Sequence, residues 1–310
     1  MNITHSQKTI GAVIVTYNPD INKLSKLLSR LSEQVTNIFI IDNNSLNVNT
    51  VHTIVRPFNN GEVIVCSENR GLGHAHNLGI QACREAGLKM VLLLDQDSMP
   101  AMNMIDVLLG GYNHLVRTKG TIAAVGARYI GNYTNHSSFF VKFRRFRFMK
   151  CFCDQQLSDQ YIQADMLISS GSLMSIEAIN AIGDMDEDLF IDHIDTDWFL
   201  RALALGWKSY GICDALMEHS LGENTRRIWV GRWRHIPVHK PFRYYYIYRN
   251  SLLLYKRKYA STKWIQGDIL RLVFMFPILF CSGPQTLHNL RMISLGLIHG
   301  IIGRTGRLDV

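Results

Sequence analysis

Short apolar runs alternate with amphipathic stretches along the first part of this chain. Runs with the length and apolar character of buried strands occupy residues 10–16, 37–41, 62–66, 90–94 and 122–126. Between residues 20 and 34 apolar positions recur at helical spacing, and a second helix is predicted over 74–87, ending at Gly87. Strands that alternate with helices are typical of βαβ units. We therefore predict an α/β fold with a mixed, mostly parallel central sheet flanked by helices.

Polar side chains follow four of these strands at the point where each strand ends. They are Thr16, Tyr17 and Asn18 after the first strand, Asp42 after the second, Asn69 after the third, and Asp95 and Asp97 after the fourth. The carboxyl ends of parallel strands meet at one edge of a sheet, where ligands bind. Two carboxylates one residue apart can hold a hard divalent cation or the ribose of a nucleotide. Helix capping explains any one of these turns, whereas four together favour a ligand site.

The second part of the chain differs in composition and charge. Residues 139–150 (FFVKFRRFRFMK) interleave aromatic residues with five basic ones, a pattern that favours contact with phosphates or a membrane surface. An exposed strand or loop with a solvated basic face is the alternative. Residues 226–310 carry a net charge of +13, against −5 for residues 1–225. So basic a region implies an anionic partner, either phospholipid headgroups or nucleic acid.

Two apolar stretches lie within the basic region, at 272–281 and 287–302. Each is shorter than the ~20 residues that span a bilayer, or is interrupted by polar residues. We predict amphipathic helices at a membrane surface; helices that complete the core or join two copies of the chain are the alternatives. We therefore divide the chain into a first domain, 1–225, whose halves meet near residue 127, and a helical region, 226–310.

The cysteines indicate no cross-linked or metal-bound framework. Six are scattered along the chain, and none has the paired C-x-x-C spacing of a zinc site. The amino terminus carries no recognisable secretory signal. The simplest interpretation is a protein with free thiols in a reducing cytoplasm.

Five short segments, read in order, resemble one known family. They are residues 13–18 (VIVTYN), 41–45 (IDNNS), 68–80 (ENRGLGHAHNLGI), 93–98 (LLDQDS) and 194–201 (IDTDWFLR). Together they are similar to the family 2 inverting glycosyltransferases with a GT-A fold. In detail they resemble the bacterial dTDP-rhamnosyltransferases of surface-polysaccharide assembly. The resemblance covers roughly residues 10–225 and extends loosely into the basic region.

This resemblance implies a site for a nucleotide-sugar donor along the predicted strand ends. Asp42 would accept a hydrogen bond from the base, and Arg70 offers a forked donor to phosphate. Asp97 would ligate Mg²⁺ or Mn²⁺, with Asp95 near both metal and ribose and His219 as a further metal ligand. The other residues implied to contact the donor are Thr16, Tyr17, Asn18, Asn69, Gly71, Asn77 and Gln96.

The resemblance also implies that Asp195 is the catalytic base, which takes the proton of the acceptor hydroxyl. Relatives commonly carry Glu-Asp at this point, whereas Ile194 precedes the aspartate here, so Asp192 and Asp197 remain alternatives. Asp195 can also cap the helix that follows, a role compatible with catalysis. The residues assigned to the acceptor are Asp192, Trp198, Arg201 and Arg249. Trp198 would either pack below Asp195 or face the acceptor, and Arg201 can pair with an acid or with a phosphate.

The implied reaction is transfer of a deoxyhexose, L-rhamnose, from a dTDP-sugar to a lipid-diphosphate-linked glycan of bacterial O-antigen synthesis. It would take place at the cytoplasmic face of the inner membrane, on an anionic surface. A UDP-sugar donor is the alternative. A sugar-phosphate nucleotidyltransferase is disfavoured because no Gly-rich loop follows the first strand. A nucleic-acid-binding protein is disfavoured because it gives the strand-end carboxylates no role.

Overall fold

The structure is a computed structural model that describes residues 9–130, 139–153, 160–218, 224–229, 233–280 and 285–309. Its strands are β1 (Ile10–Thr16), β2 (Asn37–Asp42), β3 (Gly61–Val65), β4 (Met90–Asp95), β5 (Met99–Pro100), β6 (Ile122–Ile130), β7 (Phe139–Arg144), β8 (Arg147–Phe152), β9 (Tyr161–Ala164), β10 (Ser172–Ser175), β11 (Lys208–Glu218), β12 (Asn224–Trp229) and β13 (Trp233–Val238).

The described helices are α1 (Ile21–Leu31), α2 (Val48–Val55), α3 (Leu72–Glu85), α4 (Met104–Lys119), α5 (Ile176–Ile182), α6 (Ile194–Ala204), α7 (Pro241–Tyr255), α8 (Thr262–Phe280) and α9 (Thr286–Ile302), with a short 3₁₀ helix at Glu187–Leu189. α1 starts within the predicted range because Asp20 caps it. The Asp20 carboxylate accepts hydrogen bonds from the backbone N–H groups of Asn22 and Lys23, at 3.0 and 3.2 Å.

A nine-stranded mixed sheet forms the centre of the described fold. Its strand order is β3-β2-β1-β4-β10-β6-β11-β5, with β9 beside β11. The strands β1 to β4, β6 and β11 run in one direction, so the predicted α/β fold with a mostly parallel sheet is confirmed. β1 lies between β2 and β4, with Thr16 opposite Asp42 and Val15 opposite Asp95. This register aligns the strand ends at one edge.

Helices cover both faces of this sheet. On one face Ile10 of β1 belongs to a buried cluster with Leu24 and Leu28 of α1. On the other face Val13 packs so closely on α3 that a Cβ at Gly79 would lie 2.2 Å from its Cγ1. Each fully buried aliphatic side chain contributes about 1.5 to 3 kcal/mol, so this packing holds the strand ends in a fixed register.

The basic aromatic segment is a β-hairpin formed by β7 and β8. Its residue Phe143 is buried, and Phe148 packs on α8, where a Cβ at Gly267 would lie 2.7 Å from the Phe148 ring. At its tip, Arg144, Arg145, Phe146 and Arg147 are exposed. The segment is therefore an exposed hairpin at its tip and a packing surface for the C-terminal helices at its base.

The helical region begins later than the sequence predicted. Residues 224–229 and 233–238 form an antiparallel pair of strands, so the predicted boundary at 225/226 falls inside β12, and helices start only at Pro241. Proline suits the first turn of a helix because it has no N–H to leave unpaired. In the described residues, no helix combines the length and apolar character that a bilayer crossing requires.

The C-terminal helices pack on the first domain through α7 as well as α8, and α9 packs on α7. α9 approaches α7 at a glycine, because a Cβ at Gly296 would lie 2.5 Å from the Tyr245 carbonyl oxygen. The segment after α9 then returns to the first domain. The Gly306 N–H donates to the Asp188 carbonyl at 2.7 Å, and the Leu308 N–H donates to the Tyr246 hydroxyl at 2.8 Å.

The expectation of free thiols throughout is wrong. Cys153, just after β8, and Cys213 on β11 form a disulfide with their Cα atoms 5.6 Å apart. The two cysteines are 60 positions apart in sequence, so short cysteine spacings gave no indication of this pairing. Cys66, Cys83 and Cys151 are free thiols, and Cys281 lies outside the described residues.

Candidate functional site

The ends of β1, β2 and β4 bring several of the predicted donor residues together. Asp42 is fully buried, and its carboxylate accepts a hydrogen bond from the Thr16 hydroxyl at 2.9 Å and one from the Ser45 N–H at 2.7 Å. The Gln96 side chain reaches the end of β1 and accepts a hydrogen bond from the Tyr17 N–H at 2.8 Å. The Tyr17 side chain itself is exposed. These hydrogen bonds hold the ends of β1, β2 and β4 together at one edge of the sheet, beside the exposed Tyr17 ring.

Asn43, which the sequence analysis missed, ties this edge to the loop after β3. Its side-chain N–H₂ donates to Asn69 Oδ1 at 3.1 Å and to the Gly71 carbonyl at 3.2 Å, and its oxygen accepts from the Arg70 N–H at 3.2 Å. The signal was present in the sequence as a second polar residue directly after β2. Asn69, Arg70 and Gly71 are therefore held next to Asn43, the residue that follows Asp42.

Gly71 joins this loop to the turn that precedes α6. Its φ of +92° lies in the left-handed region, and a Cβ there would lie 2.4 Å from the Phe190 carbonyl oxygen. The same Phe190 oxygen accepts a hydrogen bond from the Leu72 N–H at 2.6 Å. Only glycine fits this contact between the two halves of the site.

Replacement of Gly71 by Ala is expected to lower both stability and affinity for the ligand of this loop. The left-handed backbone costs about 1 to 2 kcal/mol for a residue with a Cβ, and the collision with Phe190 adds to it. Gly87→Ala is the matched control: its φ is +67°, but nothing lies within 4 Å of its added Cβ. Thermal melts should show a larger loss for Gly71→Ala, and equal losses would contradict a role for the Phe190 contact.

Asn77 and Arg70 meet a residue that the sequence did not single out, Glu187. The Asn77 amide donates to Glu187 Oε1 at 2.9 Å, and Arg70 lies 3.9 Å from Glu187 Oε2. His74 Nδ1 lies 2.8 Å from Glu187 Oε2. Burial alone would raise the pKa of Glu187, but the hydrogen bonds from Asn77 and His74 and the charges of His74 and Arg70 outweigh it and lower the pKa.

The placement of Asn77 differs from the one that the resemblance implied. Its oxygen accepts from the Met185 N–H at 2.9 Å, and its amide N–H₂ donates to the Met185 carbonyl at 3.0 Å as well as to Glu187. Both ends of this amide are thus used to hold the segment before α6. Arg70 keeps its side chain more than half exposed and can still reach a ligand.

Asp95 and Asp97 lie at the end of β4, in a turn that is held by hydrogen bonds to Ser170 and Ser98. The Asp95 N–H donates to Ser170 Oγ at 3.1 Å, and Ser98 Oγ lies 2.6 Å from the same oxygen. No group of three or more His, Cys, Asp or Glu side chains suited to a metal occurs among the described residues, and His219 lies outside them. Two carboxylates nonetheless fit Mg²⁺ or Mn²⁺, because such ions take their remaining ligands from water and substrate phosphates.

Asp195 stands in the first turn of α6, where the negative charge of Asp95 affects its pKa. Its Oδ1 accepts a hydrogen bond from the Thr196 N–H at 2.7 Å. Burial raises the pKa of Asp195 to about 6; the Thr196 hydrogen bonds oppose the rise, and the negative charges of Asp192 and Asp95 add to it. A carboxylate with this pKa is suited to accept a proton near neutral pH.

The two alternative bases are both committed to ion pairs. Asp197 is fully buried, where its carboxylate accepts from Arg201 Nε at 2.9 Å and from the Tyr259 hydroxyl. The oxygens of Asp192 accept from the Arg243 guanidinium. The oxygens of both carboxylates therefore already have cationic donors. In the described part of the chain the Asp195 carboxylate accepts hydrogen bonds from Thr196 alone.

Three residues assigned to the acceptor have structural partners instead, and two of these assignments are corrected. Trp198 is fully buried and donates its ring N–H to the Gly183 carbonyl at 2.9 Å. Arg249 is also fully buried and donates to the carbonyls of Leu189 and Gly306, at 3.0 and 2.5 Å. Both side chains have their polar groups bonded inside the protein, so they support the fold in this structure.

Arg201, the third, bonds the segment before α6. Besides its pair with Asp197, its guanidinium donates to the carbonyls of Ile182 and Asp184 at 2.9 and 2.7 Å. Asp192, the fourth, acts on the candidate base itself, because its negative charge contributes to the raised pKa of Asp195.

The turn that carries Asp195 has an unusual backbone. Phe190, Asp192 and His193 all have positive φ, between +63° and +64°. Such conformations cost non-glycine residues about 1 to 3 kcal/mol each, and they persist where surrounding contacts impose them. The contacts here come from Gly71, Arg243 and the C-terminal helices.

Comparison with known proteins agrees with this geometry. Residues 12–183 match the Glycosyl transferase family 2 domain, which is more than half of the chain. A relative from Shigella flexneri, "dTDP-rhamnosyl transferase RfbF", is 28% identical over 96% of this chain and 97% of its own length.

Two solved structures with a similar fold contain uridine-diphosphate ligands. S. aureus TarS residues 1–349, in complex with UDP-GlcNAc, has a TM-score of 0.57 at 12% identity over 94% of this chain and 81% of its own. GalNAc-T7 with UDP, GalNAc and Mn²⁺ also has a TM-score of 0.57, at 15% identity, over 70% of this chain and 44% of its own. The fold is therefore of the GT-A kind, and the chain belongs to glycosyl transferase family 2, as an enzyme that transfers sugars.

Proposed function

We propose that this enzyme transfers L-rhamnose, a deoxyhexose, from a dTDP-sugar to a hydroxyl of a lipid-diphosphate-linked glycan in bacterial surface-polysaccharide (O-antigen) synthesis. The observation that carries the donor assignment is the likeness to the Shigella dTDP-rhamnosyl transferase along almost the whole of both chains. A likeness that covers only the sheet would support a glycosyltransferase of any donor. This one includes the C-terminal helices as well.

The donor occupies the edge formed by the ends of β1, β2 and β4. Asp42, held by Thr16 and Ser45, offers its remaining lone pairs to an N–H of the base. The exposed Tyr17 ring gives the base or ribose an apolar surface, and Arg70 approaches a phosphate with its forked donor.

Asp95 and Asp97 hold a divalent metal, Mg²⁺ or Mn²⁺, together with the donor diphosphate. A bound cation would neutralise the charge that develops on the departing diphosphate. The Mn²⁺ in the GalNAc-T7 complex supports the presence of a divalent metal in an enzyme of this fold. The serine contacts of this turn keep the two carboxylates at the end of β4 before the donor arrives.

Asp195 is the base of an inverting displacement. Its carboxylate takes the proton of the acceptor hydroxyl while the acceptor oxygen bonds to the anomeric carbon of the sugar. The bond from that carbon to the diphosphate oxygen breaks, and its electron pair leaves with the nucleotide. Burial raises the pKa of Asp195, and the negative charges of Asp192 and Asp95 add to the rise, which supports a base that shares one site with the strand-end carboxylates.

Transfer is expected to depend on pH through Asp195. Because burial and the charges of Asp192 and Asp95 raise its pKa to about 6, the base is protonated below that pH. kcat/KM should fall about tenfold for each pH unit below the pKa of the base. A profile measured at saturating metal checks this, and kcat/KM that stays constant well below pH 6 would argue against Asp195 as the base.

We further propose that the protein docks on the cytoplasmic face of the inner membrane. The β7–β8 hairpin tip offers three arginines around Phe146, and the hairpin packs on α8. Large apolar side chains are exposed on α8 and α9, among them Val273, Phe274, Leu287 and Ile301. Cations beside exposed apolar side chains suit a surface of anionic lipid.

Flotation with lipid vesicles is expected to show this docking. The protein should float with vesicles that contain anionic phospholipid and less with purely zwitterionic ones, because each arginine near the surface contributes about 1 kcal/mol. Replacement of Arg144, Arg145 and Arg147 by Ser should reduce flotation, whereas replacement of Arg30, Arg56 and Arg117 should not. Equal binding to both vesicles would overturn the electrostatic part of the proposal.

The test of the donor assignment is a panel of nucleotide sugars. dTDP-L-rhamnose, UDP-N-acetylglucosamine and UDP-glucose are each offered with Mg²⁺ or Mn²⁺ and a lipid-diphosphate glycan extract. Transfer of rhamnose from dTDP-rhamnose alone is the expected result. Transfer from a UDP-sugar in its place would overturn the donor assignment and leave the family intact.

A further inference from the structure

We propose that His193 is a positioning residue, which the C-terminal helices hold so that it orients the catalytic carboxylate of Asp195 through Thr196. This inference rests on the proposed role of Asp195 as the base. It assigns the C-terminal helices a part in catalysis besides any contact with a membrane. Three sets of contacts carry it.

The first set surrounds Nε2 of His193. Ser251 Oγ on α7 lies 3.1 Å from this nitrogen, and Arg271 Nη2 on α8 lies 3.3 Å from it. Arg271 is in turn paired at 2.7 Å with Asp268, a buried carboxylate that also accepts from the Tyr255 hydroxyl at 2.7 Å. Side chains from α7 and α8, both distant from His193 in sequence, thus contact the same imidazole nitrogen.

These partners determine which ring nitrogen carries the proton. A guanidinium only donates hydrogen bonds, so Nε2 of His193 must accept from Arg271. The neutral ring then carries its hydrogen on Nδ1. Burial and the nearby Arg271 charge lower the pKa of His193, against the opposing charges of Asp268 and Asp192, which agrees with a neutral ring.

The second set links His193 to Thr196. Nδ1 of His193 lies 3.3 Å from Thr196 Oγ1, so the imidazole N–H donates to the hydroxyl. The hydroxyl must then direct its own hydrogen elsewhere, and its neighbours are Asp195 Oδ1 at 3.4 Å and Met166 Sδ at 3.3 Å. Because a carboxylate is a much stronger acceptor than a thioether, the hydrogen points to Asp195.

The third set fixes the backbone of the turn. Asp192 is clamped by Arg243 from α7, and His193 adopts a φ of +63° at the start of α6. Asn250, also on α7, donates to the carbonyls of Ile191 and Asp192, both at 2.9 Å. The ring of His193 therefore cannot turn away from Thr196 without breaking bonds to α7.

The consequence is a chain of hydrogen bonds with a defined direction, which leads from α8 to the base. It runs from Asp268 and Arg271 through His193 and Thr196 to Asp195 Oδ1, and leaves Oδ2 as the oxygen that receives the acceptor proton. A base held in one rotamer reacts faster than a mobile one, since misplacement by about 1 Å can cost about a hundredfold.

The test compares two replacements of His193. Glycine at position 193 adopts the positive φ without strain but lacks the N–H that donates to Thr196. Asparagine also adopts this backbone conformation, and its amide N–H lies close to the position of His193 Nδ1. We expect His193→Gly to lower kcat for rhamnose transfer by about ten- to a hundredfold with the donor KM within about two-fold. His193→Asn should recover most of that loss.

A second pair covers the case in which His193→Gly fails to fold. Thr196→Val keeps the shape of the side chain and loses the hydroxyl, whereas Thr196→Ser keeps the hydroxyl. We expect a kcat about tenfold lower for Thr196→Val and close to the wild-type value for Thr196→Ser. Equal kcat in both variants of either pair, or a loss confined to KM, would overturn the inference.

The outcome is separable from that of the proposed function. Wild-type protein that transfers no rhamnose overturns the donor assignment, and the comparison is then made with whichever nucleotide sugar is active. Wild-type protein that transfers rhamnose while His193→Gly and Thr196→Val retain full kcat overturns only the positioning role. Circular dichroism of each variant at the assay temperature establishes that kcat is referred to folded protein.

Discussion

Asp195→Asn is expected to abolish sugar transfer and, at neutral pH, to stabilise the protein. Asparagine keeps an oxygen that accepts from the Thr196 N–H but cannot take the acceptor proton. Loss of a positioned general base costs about a hundred- to ten-thousandfold in kcat. Steady-state kinetics with dTDP-rhamnose measure this loss, and Asp192→Asn should retain more activity because its carboxylate is committed to Arg243.

The stabilisation follows from the sign of the pKa shift. The folded protein raises the pKa of Asp195 to about 6, so it favours the protonated form, and folding stability is lost as the pH rises from the unfolded pKa through the folded one. Above that range the charged carboxylate costs about 1 to 2 kcal/mol, allowing for partial exposure. Asparagine carries no such cost, so its advantage in thermal melts should appear between about pH 4 and 6 and persist above.

Asp197→Asn is the matched control for both measurements. Its carboxylate is fully buried between Arg201 and Tyr259, so replacement should destabilise the protein, in contrast to Asp195→Asn. If Asp195→Asn were the less stable variant and kept most of its activity, Asp195 would be a helix-start residue without a catalytic role.

Asp97→Asn is expected to give the second largest loss, through the metal. An amide oxygen binds a divalent cation more weakly than a carboxylate, and charge stabilisation by such a cation is worth several kcal/mol. A loss of about 3 to 4 kcal/mol corresponds to several hundredfold in rate. kcat measured against Mn²⁺ or Mg²⁺ concentration should show weaker metal activation, with partial recovery at high metal.

Asp184→Asn is the control for Asp97→Asn. It shows whether weaker metal activation follows from the loss of Asp97 in particular or from the loss of any surface aspartate. Asp184 is also part of an Asp-x-Asp pair, but it lies on the segment before α6, where it bonds Arg84 at the protein surface. Its replacement should change stability by less than about 1 kcal/mol and leave metal activation unchanged. Identical metal curves for wild type and Asp97→Asn would remove Asp97 from the metal site.

The sheet and its polar edge were predictable because their signals are local. Each central strand is a short continuous apolar run, and the polar residue that ends it follows directly in sequence, as Thr16 and Asp42 do. Parallel pairing then brings these ends into register without any further information. The donor side of the site therefore follows from the pattern of the first hundred residues.

The turn that carries Asp195 was not predictable because the residues that hold it are distant in sequence. Asp192 pairs with Arg243 over 51 positions, and the disulfide joins cysteines 60 positions apart. No glycine or asparagine marks the left-handed turn at Phe190 and His193, since tertiary contacts impose it. Trp198 was assigned to an acceptor from its neighbours in the chain, but the period of α6 turns it into the core.

The segment after α9 bears on how the enzyme is handled in the laboratory. Gly306 bonds the Asp188 carbonyl and Arg249, and Leu308 bonds Tyr246, so residues 306–308 are attached to the elements that support the base. An affinity tag or sensor-chip anchor inserted next to residues 306–308 would pull on these bonds. A flexible spacer at that point, or attachment elsewhere, keeps the immobilised enzyme comparable to the free one in lipid-binding and kinetic assays.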